Sequence, residues 1–145
     1  MSEGRTGEIG ADELRELIDH VFSELDADDL RGSALQAAGL RVRFEITDLD
    51  LVVRVRAAEP GSHHLAWAFA EDEDGVDSGL SLAMDSAMAN GYLQGRESLA
   101  VAVARGRVRC SGDLRTTLVY LPALRLLMEP YRSWVERLHP HLALT

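Results

Sequence analysis

The sequence predicts a mixed α/β (α+β) chain of five strands with helices before, between and after them. Three observations predict it. Residues 40–56 and 63–70 alternate apolar and polar side chains with period two; residues 12–25 and 130–140 repeat apolar side chains with helical spacing; and Leu80–Leu127 is denser in apolar residues than one core needs. A length of 145 residues, with 46% hydrophobic and 27% charged side chains, fits one soluble domain with a single core. The expected division is a disordered start over 1–11 and one domain over 12–145. Within that domain the helical segment is 12–38, the core 39–128 and the C-terminal helix 129–140.

Charge and composition exclude several functions. Residues 1–30 hold ten acids and two arginines, a balance of −8, so nearly all of the net −9 belongs to the N-terminal segment. That balance argues against nucleic acid as a partner, because phosphate neutralisation needs a basic footprint. All fifteen basic residues are arginine, which reads first as compositional bias. No apolar run is long enough for a transmembrane segment, and MSEGRTGEIGA lacks the basic start and apolar middle of a secretory signal. A cytoplasmic location is expected, and the lone Cys110 fits a reducing compartment.

Taken in order, Leu14, Leu17, Ile18, Val21, Phe22 and Leu25 make one apolar stripe on a first helix, which Asp12 can cap. A short helix over Asp29–Ala38 is closed by Gly39. Val42, Phe44 and Ile46, then Leu51, Val53 and Val55, form the buried face of a hairpin turning at Asp48-Leu49-Asp50. Its outer face carries Arg41, Arg43, Arg54 and Arg56, whose mutual repulsion Glu45, Asp50 or neighbouring acids should relieve. A solvated face explains this pattern better than a specific anion site. After the Glu59–Ser62 turn, His63–Ala70 forms a third strand with Leu65, Trp67 and Phe69 on one side. Leu80, Leu82 and Met84 mark a fourth.

Asp85 caps a helix over Ser86–Gln94, weakened by Asn90-Gly91 and closed at Gly95. The helix over Glu97–Arg105 contains LAVAVA, apolar nearly all round, so it must be buried on several sides or face something greasy. Arg107–Ser111 is a fifth strand with Val108 and Cys110 inward. Asp113 caps a Leu-rich helix that Pro122 should kink or split, and a last amphipathic helix with Tyr131, Trp134, Val135 and Leu138 runs from Pro130 to Pro140.

Motifs for chemistry are sparse. The acidic run Glu71–Asp77 contains Asp-x-Asp-Gly, but a calcium loop would need ligands where Ala70 and Ser81 stand, so a hairpin loop at Asp74-Gly75 is the better reading. His63 and His64 are adjacent on a strand and point to opposite faces, which keeps them from sharing one ion. No catalytic set, metal set or cofactor is expected. There is no nucleophile elbow, no Cys-x-x-Cys and no phosphate-cradling glycine loop, and nothing recommends a triad from the scattered His63, His64, His139 or His141.

The order of elements and the glycine punctuation over Leu35–Met128 resemble the sterol carrier protein 2 family. The best segment is Gly91–Leu127: a short helix ending Leu93-Gln94-Gly95, an Ala-rich helix ending Ala104-Arg105-Gly106, the strand Arg107–Ser111, then Gly112-Asp113 and a Leu-rich helix. Arginines at 107 and 109 stand where the family commonly has lysines, and Pro122 and the long final helix depart from its pattern. The resemblance implies a five-stranded, mainly antiparallel sheet with helices packed on one face, enclosing an apolar tunnel. It further implies non-enzymatic binding or transfer of a fatty acid, acyl-CoA, sterol or phospholipid.

Physical reasoning agrees, since a tunnel for a flexible lipid needs soft apolar side chains without fixed polar partners. Burying about sixteen carbons at about 0.8 kcal/mol per CH2 gives on the order of 12 kcal/mol before ordering costs. The expected lining is Trp67, Phe69, Leu82, Met84, Met88, Tyr92, Leu99, Val103, Leu118, Leu121 and Leu124; for each, plain core packing is the competing explanation. The expected partner is a lipid-like small molecule, with transient membrane contact. The alternative is an interaction or accessory module with a filled core. In that case Tyr131 and Trp134 of the C-terminal helix, with the acidic first helix, meet a protein partner or a second copy.

Overall fold

The computed structural model describes residues 8–61, 63–70 and 79–144. The acidic Glu71–Asp77 run lies outside them, as does most of the expected disordered start. Helices α1 (Ala11–Ala27) and α2 (Asp29–Ala37) precede strands β1 (Arg41–Ile46), β2 (Leu51–Ala57), β3 (Leu65–Ala70) and β4 (Leu80–Met84). Helices α3 (Ser86–Leu93) and α4 (Leu99–Ala104), strand β5 (Arg109–Ser111) and helices α5 (Leu114–Leu124) and α6 (Met128–Leu138) follow, with 3-10 turns at Arg125–Leu127 and Pro140–Leu142.

The sheet order is β3-β2-β1-β4-β5, antiparallel except for the β1–β4 pair. Register follows the period-two pattern. Phe44 lies between Val53 and Leu82, and Val53 in turn lies beside Phe69, so one face is apolar across four strands. On the other face Arg41 faces Arg56 and Arg43 faces Arg54 across the hairpin; Glu45 supplies relief, 3.4 Å from Arg43. Asp50, at φ 52, takes the left-handed conformation that closes the turn.

Helix α1 covers the apolar face. All six residues of its stripe are buried, and its N-terminus is capped by Gly10, whose N–H donates to Glu13 Oε1 at 3.0 Å. Asp12 therefore sits in the first turn instead of at the cap. Asp28 caps α2 through the N–H groups of Leu30 and Arg31. Gly32 lets α2 approach closely: a Cβ there would lie 2.5 Å from the Leu25 carbonyl and 2.7 Å from the His64 ring.

Asp85 caps α3 as expected, and α3 is buried nearly all round. The Asn90-Gly91 pair that weakens its propensity serves packing, because a Cβ at Gly91 would meet Glu97 at 2.6 Å. Helix α5 runs on through Pro122 to Leu124 before tightening into the 3-10 turn. Pro122 sits in the last turn, so only the bond to the carbonyl of exposed Leu118 is lost, and water can satisfy that group. Helix α6 starts at Met128, with Pro130 in its first turn where no N–H is needed.

Two inward assignments fail. Cys110 is exposed although it pairs with fully buried Leu82, because β5 is a three-residue edge strand exposed along its whole length. In α4 only Leu99 and Ala102 are buried, while Val101 and Val103 are 48% and 40% exposed.

Candidate functional site

A cavity lies between α1 and the apolar face of the sheet, closed at its sides by α3, the Arg125–Leu127 turn and α6. Leu14, Ile18, Val21 and Phe22 of α1 form one wall, and Phe44, Ile46, Val53 and Met84 form the sheet wall. Ala89, Tyr92, Leu93, Leu127 and Tyr131 complete it. Its volume of about 20 Å³ holds about one water. An apolar wall offers such a water no partner, so the space suits hydrocarbon.

Of the eleven residues expected to line a tunnel, Met84 and Tyr92 border this small cavity. Leu82, Met88, Leu99 and Leu124 are buried in the continuous core around the cavity, and Trp67, Phe69 and Leu121 pack at its margin. Trp67 lies against Phe22, ring centres 5.7 Å apart, and its indole N–H donates to Asp19 at 3.0 Å. The Arg15 guanidinium covers Phe69 at 4.9 Å. Val103 and Leu118 face solvent, Leu118 at 62% exposure. The contribution of α1 was missed although its stripe is plain in the sequence, because the same stripe also reads as ordinary helix packing.

Tyr131 links the cavity wall to a buried polar network. There the Tyr131 hydroxyl donates to Asn90 Oδ1 at 2.7 Å, and Gln94 Nε2 donates to the same oxygen at 2.8 Å. Asn90 Nδ2 and Gln94 Nε2 both donate to the Leu142 carbonyl, at 3.2 and 3.0 Å, and the Leu144 N–H donates to Gln94 Oε1. This closed network satisfies every buried partner and fixes the segment after α6 onto α3. Burial pushes the Tyr92 phenol up to about 12, with the Arg125 charge pulling the other way, and burial raises Tyr131 as well. Both phenols stay protonated across the physiological range.

The two aromatics expected on the outer surface of the C-terminal helix pack against neighbouring helices. Tyr131 is buried, and Trp134 stacks on His20 at 4.1 Å while its indole N–H donates to Glu24 at 2.8 Å. Trp134 thus holds α6 to α1, and Tyr131 ties it to α3 through Asn90. His63 and His64 take separate partners, Asp26 and Gln36, each at 2.9 Å. No helix among the described residues is long and apolar enough to cross a membrane.

No family model and no curated protein matches the sequence. Solved structures do match in fold. Sterol carrier protein 2 from Yarrowia lipolytica, in its apo form, superposes with a TM-score of 0.61 at 8% identity, over 86% of this chain and 98% of that one. The UbiJ-SCP2 ubiquinone synthesis protein gives 0.54 at 12% identity, over 83% and 96%. The stereoselective inverting sec-alkylsulfatase Pisa1 from Pseudomonas sp. gives 0.52 at 11% identity, and there 72% of this chain matches 15% of the enzyme.

Proposed function

We propose, from the sterol carrier protein 2 fold that these likenesses show, that the chain binds the hydrocarbon part of a lipid-like molecule between α1 and the sheet, without a catalytic step. The candidate ligands are fatty acids, acyl-CoAs, sterols and phospholipids, carried in the cytoplasm. The observation that carries the reading is the wall itself: thirteen side chains, ten aliphatic or Phe, one Met and two Tyr, meet there around unfilled space. At about 20 Å³ the space must widen to admit an acyl chain. The exposed Val101, Val103, Leu118 and Val119 of α4 and α5 provide an apolar surface for brief membrane contact during loading.

Titration with a fluorescent fatty acid, together with mass spectrometry of lipid extracted from the purified protein, tests this. Saturable uptake is expected. Ala89→Leu, which fills the cavity from α3, should weaken it at least tenfold while the circular dichroism spectrum is retained. Absence of binding for every lipid class at about 100 µM overturns the proposal. The small cavity volume favours a second reading, a module whose core is filled and whose outer faces act; unchanged uptake by Ala89→Leu together with no extracted lipid would support it.

A further inference from the structure

After α6 the chain reads His139-Pro140-His141, and the 3-10 turn over Pro140–Leu142 brings both imidazoles onto the first turn of α1. Glu13 Oε2 lies 3.1 Å from His141 Nε2 and 3.7 Å from His139 Nδ1. One ligand atom from each of the three residues lies within 4.8 Å of the others. Arms of about 2.0–2.1 Å in a tetrahedral site separate neighbouring ligand atoms by about 3.3 Å. The two measured separations bracket that edge. We propose that Glu13, His139 and His141 form a site for a divalent transition metal of the zinc class.

The surrounding bonds orient these groups as metal ligands are oriented. If His139 binds through Nδ1, its Nε2–H is left to donate to Glu16 Oε1, found 2.9 Å away, giving the carboxylate–histidine–metal arrangement. The other oxygen of Glu13 already accepts the Gly10 N–H at 3.0 Å, which aims Oε2 at the two rings. Two imidazoles and one carboxylate suit zinc, copper or nickel over magnesium or calcium, which prefer all-oxygen sites. Water takes the fourth position, since the His141 side chain is 52% exposed and His139 only 18%. Separate imidazolium–carboxylate pairs are the competing explanation, and they do not bind metal.

The proposed site joins the segment carrying the Leu142 carbonyl to the helix whose next residue, Leu14, lines the cavity. Metal should therefore tighten the closure of the structure at this end.

The test uses the full chain, free of any affinity tag and stripped with chelator, titrated with ZnCl2 by calorimetry and with CoCl2 by visible absorption. One Zn2+ per chain, a rise in Tm and the ligand-field bands of low-coordinate Co2+ are expected. His141→Ala and His139→Ala should each weaken Zn2+ binding at least about tenfold, and Glu16→Gln by less. His141 is half-exposed, so its variant should keep the metal-free circular dichroism spectrum, while His63→Ala should bind as the unaltered chain does. No Zn2+ bound at about 100 µM, or affinity unchanged in His141→Ala, overturns the site.

Discussion

Helices α4 and α5 together carry more apolar side chains than helix α1 over the same length of chain, yet the two regions meet opposite fates. In α1 all six residues of the stripe are buried, and Leu14, Ile18, Val21 and Phe22 line the cavity. In α4 and α5, Val101, Val103, Leu118 and Val119 remain exposed. Polar ties differ in the same direction. Helix α1 is fastened to distant elements by Asp19–Trp67, Glu24–Trp134 and Asp26 with the start of β3. Helix α5 is tied across the chain by the Tyr120 hydroxyl, which donates to the Gly39 carbonyl at 2.7 Å. Apolar content thus supplies a tendency to bury, and the neighbouring elements decide whether burial happens.

The contrast breaks most sharply on a pair of truncations. Phe22→Ala removes a side chain 2% exposed that touches Trp67, and should cost about 3–5 kcal/mol in urea unfolding. Leu118→Ala, at 62% exposure, should stay within about 0.5 kcal/mol. Comparable losses at the two sites would mean that α5 is buried in solution. Amide hydrogen exchange sharpens the same point, with α4 and α5 expected to exchange well before α1.

The next effect concerns the polar end of the covered side. Asn90→Ala deprives the buried Tyr131 hydroxyl of its acceptor, with a cost of about 1–3 kcal/mol by denaturant midpoint. Most of that cost should disappear in Asn90→Ala combined with Tyr131→Phe, because the orphaned hydroxyl is gone. A double variant no better than the single would show that packing around Asn90, not the hydrogen bond, is what matters.

The legible parts of this molecule were those governed by local spacing. Period two placed Val42, Phe44 and Ile46 on the covered face, and Gly39, Gly95 and Gly106 close helices with positive φ as glycine permits. Cys110 and Val103 escaped because period fixes only the direction of a side chain, and whether another element lies in that direction is tertiary information. Glu13 outranked Asp12 at the α1 terminus for a similar reason, since a carboxylate three residues on reaches the Gly10 N–H. The Asn90–Gln94–Leu142 network and the Glu13–His139–His141 cluster join residues some 50 and more than 120 positions apart, two of them through a backbone carbonyl that no residue type signals.

Asp26 gives the gentlest probe of how α1 is fastened. Its carboxylate accepts N–H groups of His64 at 2.6 Å and Leu65 at 3.0 Å, and it lies 2.9 Å from His63 Nδ1. Burial alone would raise its pKa, but the hydrogen bonds from His63, Leu65 and His64 together outweigh burial and hold it below the ordinary carboxylate value of 3.8. A carboxylate with a lowered folded pKa adds stability above its unfolded value. That contribution is lost as pH falls through the folded value, so the window lies below about pH 4. Asp26→Asn should lower the urea midpoint at pH 7 by about 1–2 kcal/mol equivalent, and should flatten the acid limb of the stability profile. The matching change at α5, Asp113→Asn, affects an exposed carboxylate whose bonds stay within its own first turn, so it should move the midpoint less. If the two substitutions were equal at pH 7, the long-range fastening of α1 would contribute no more than a local cap.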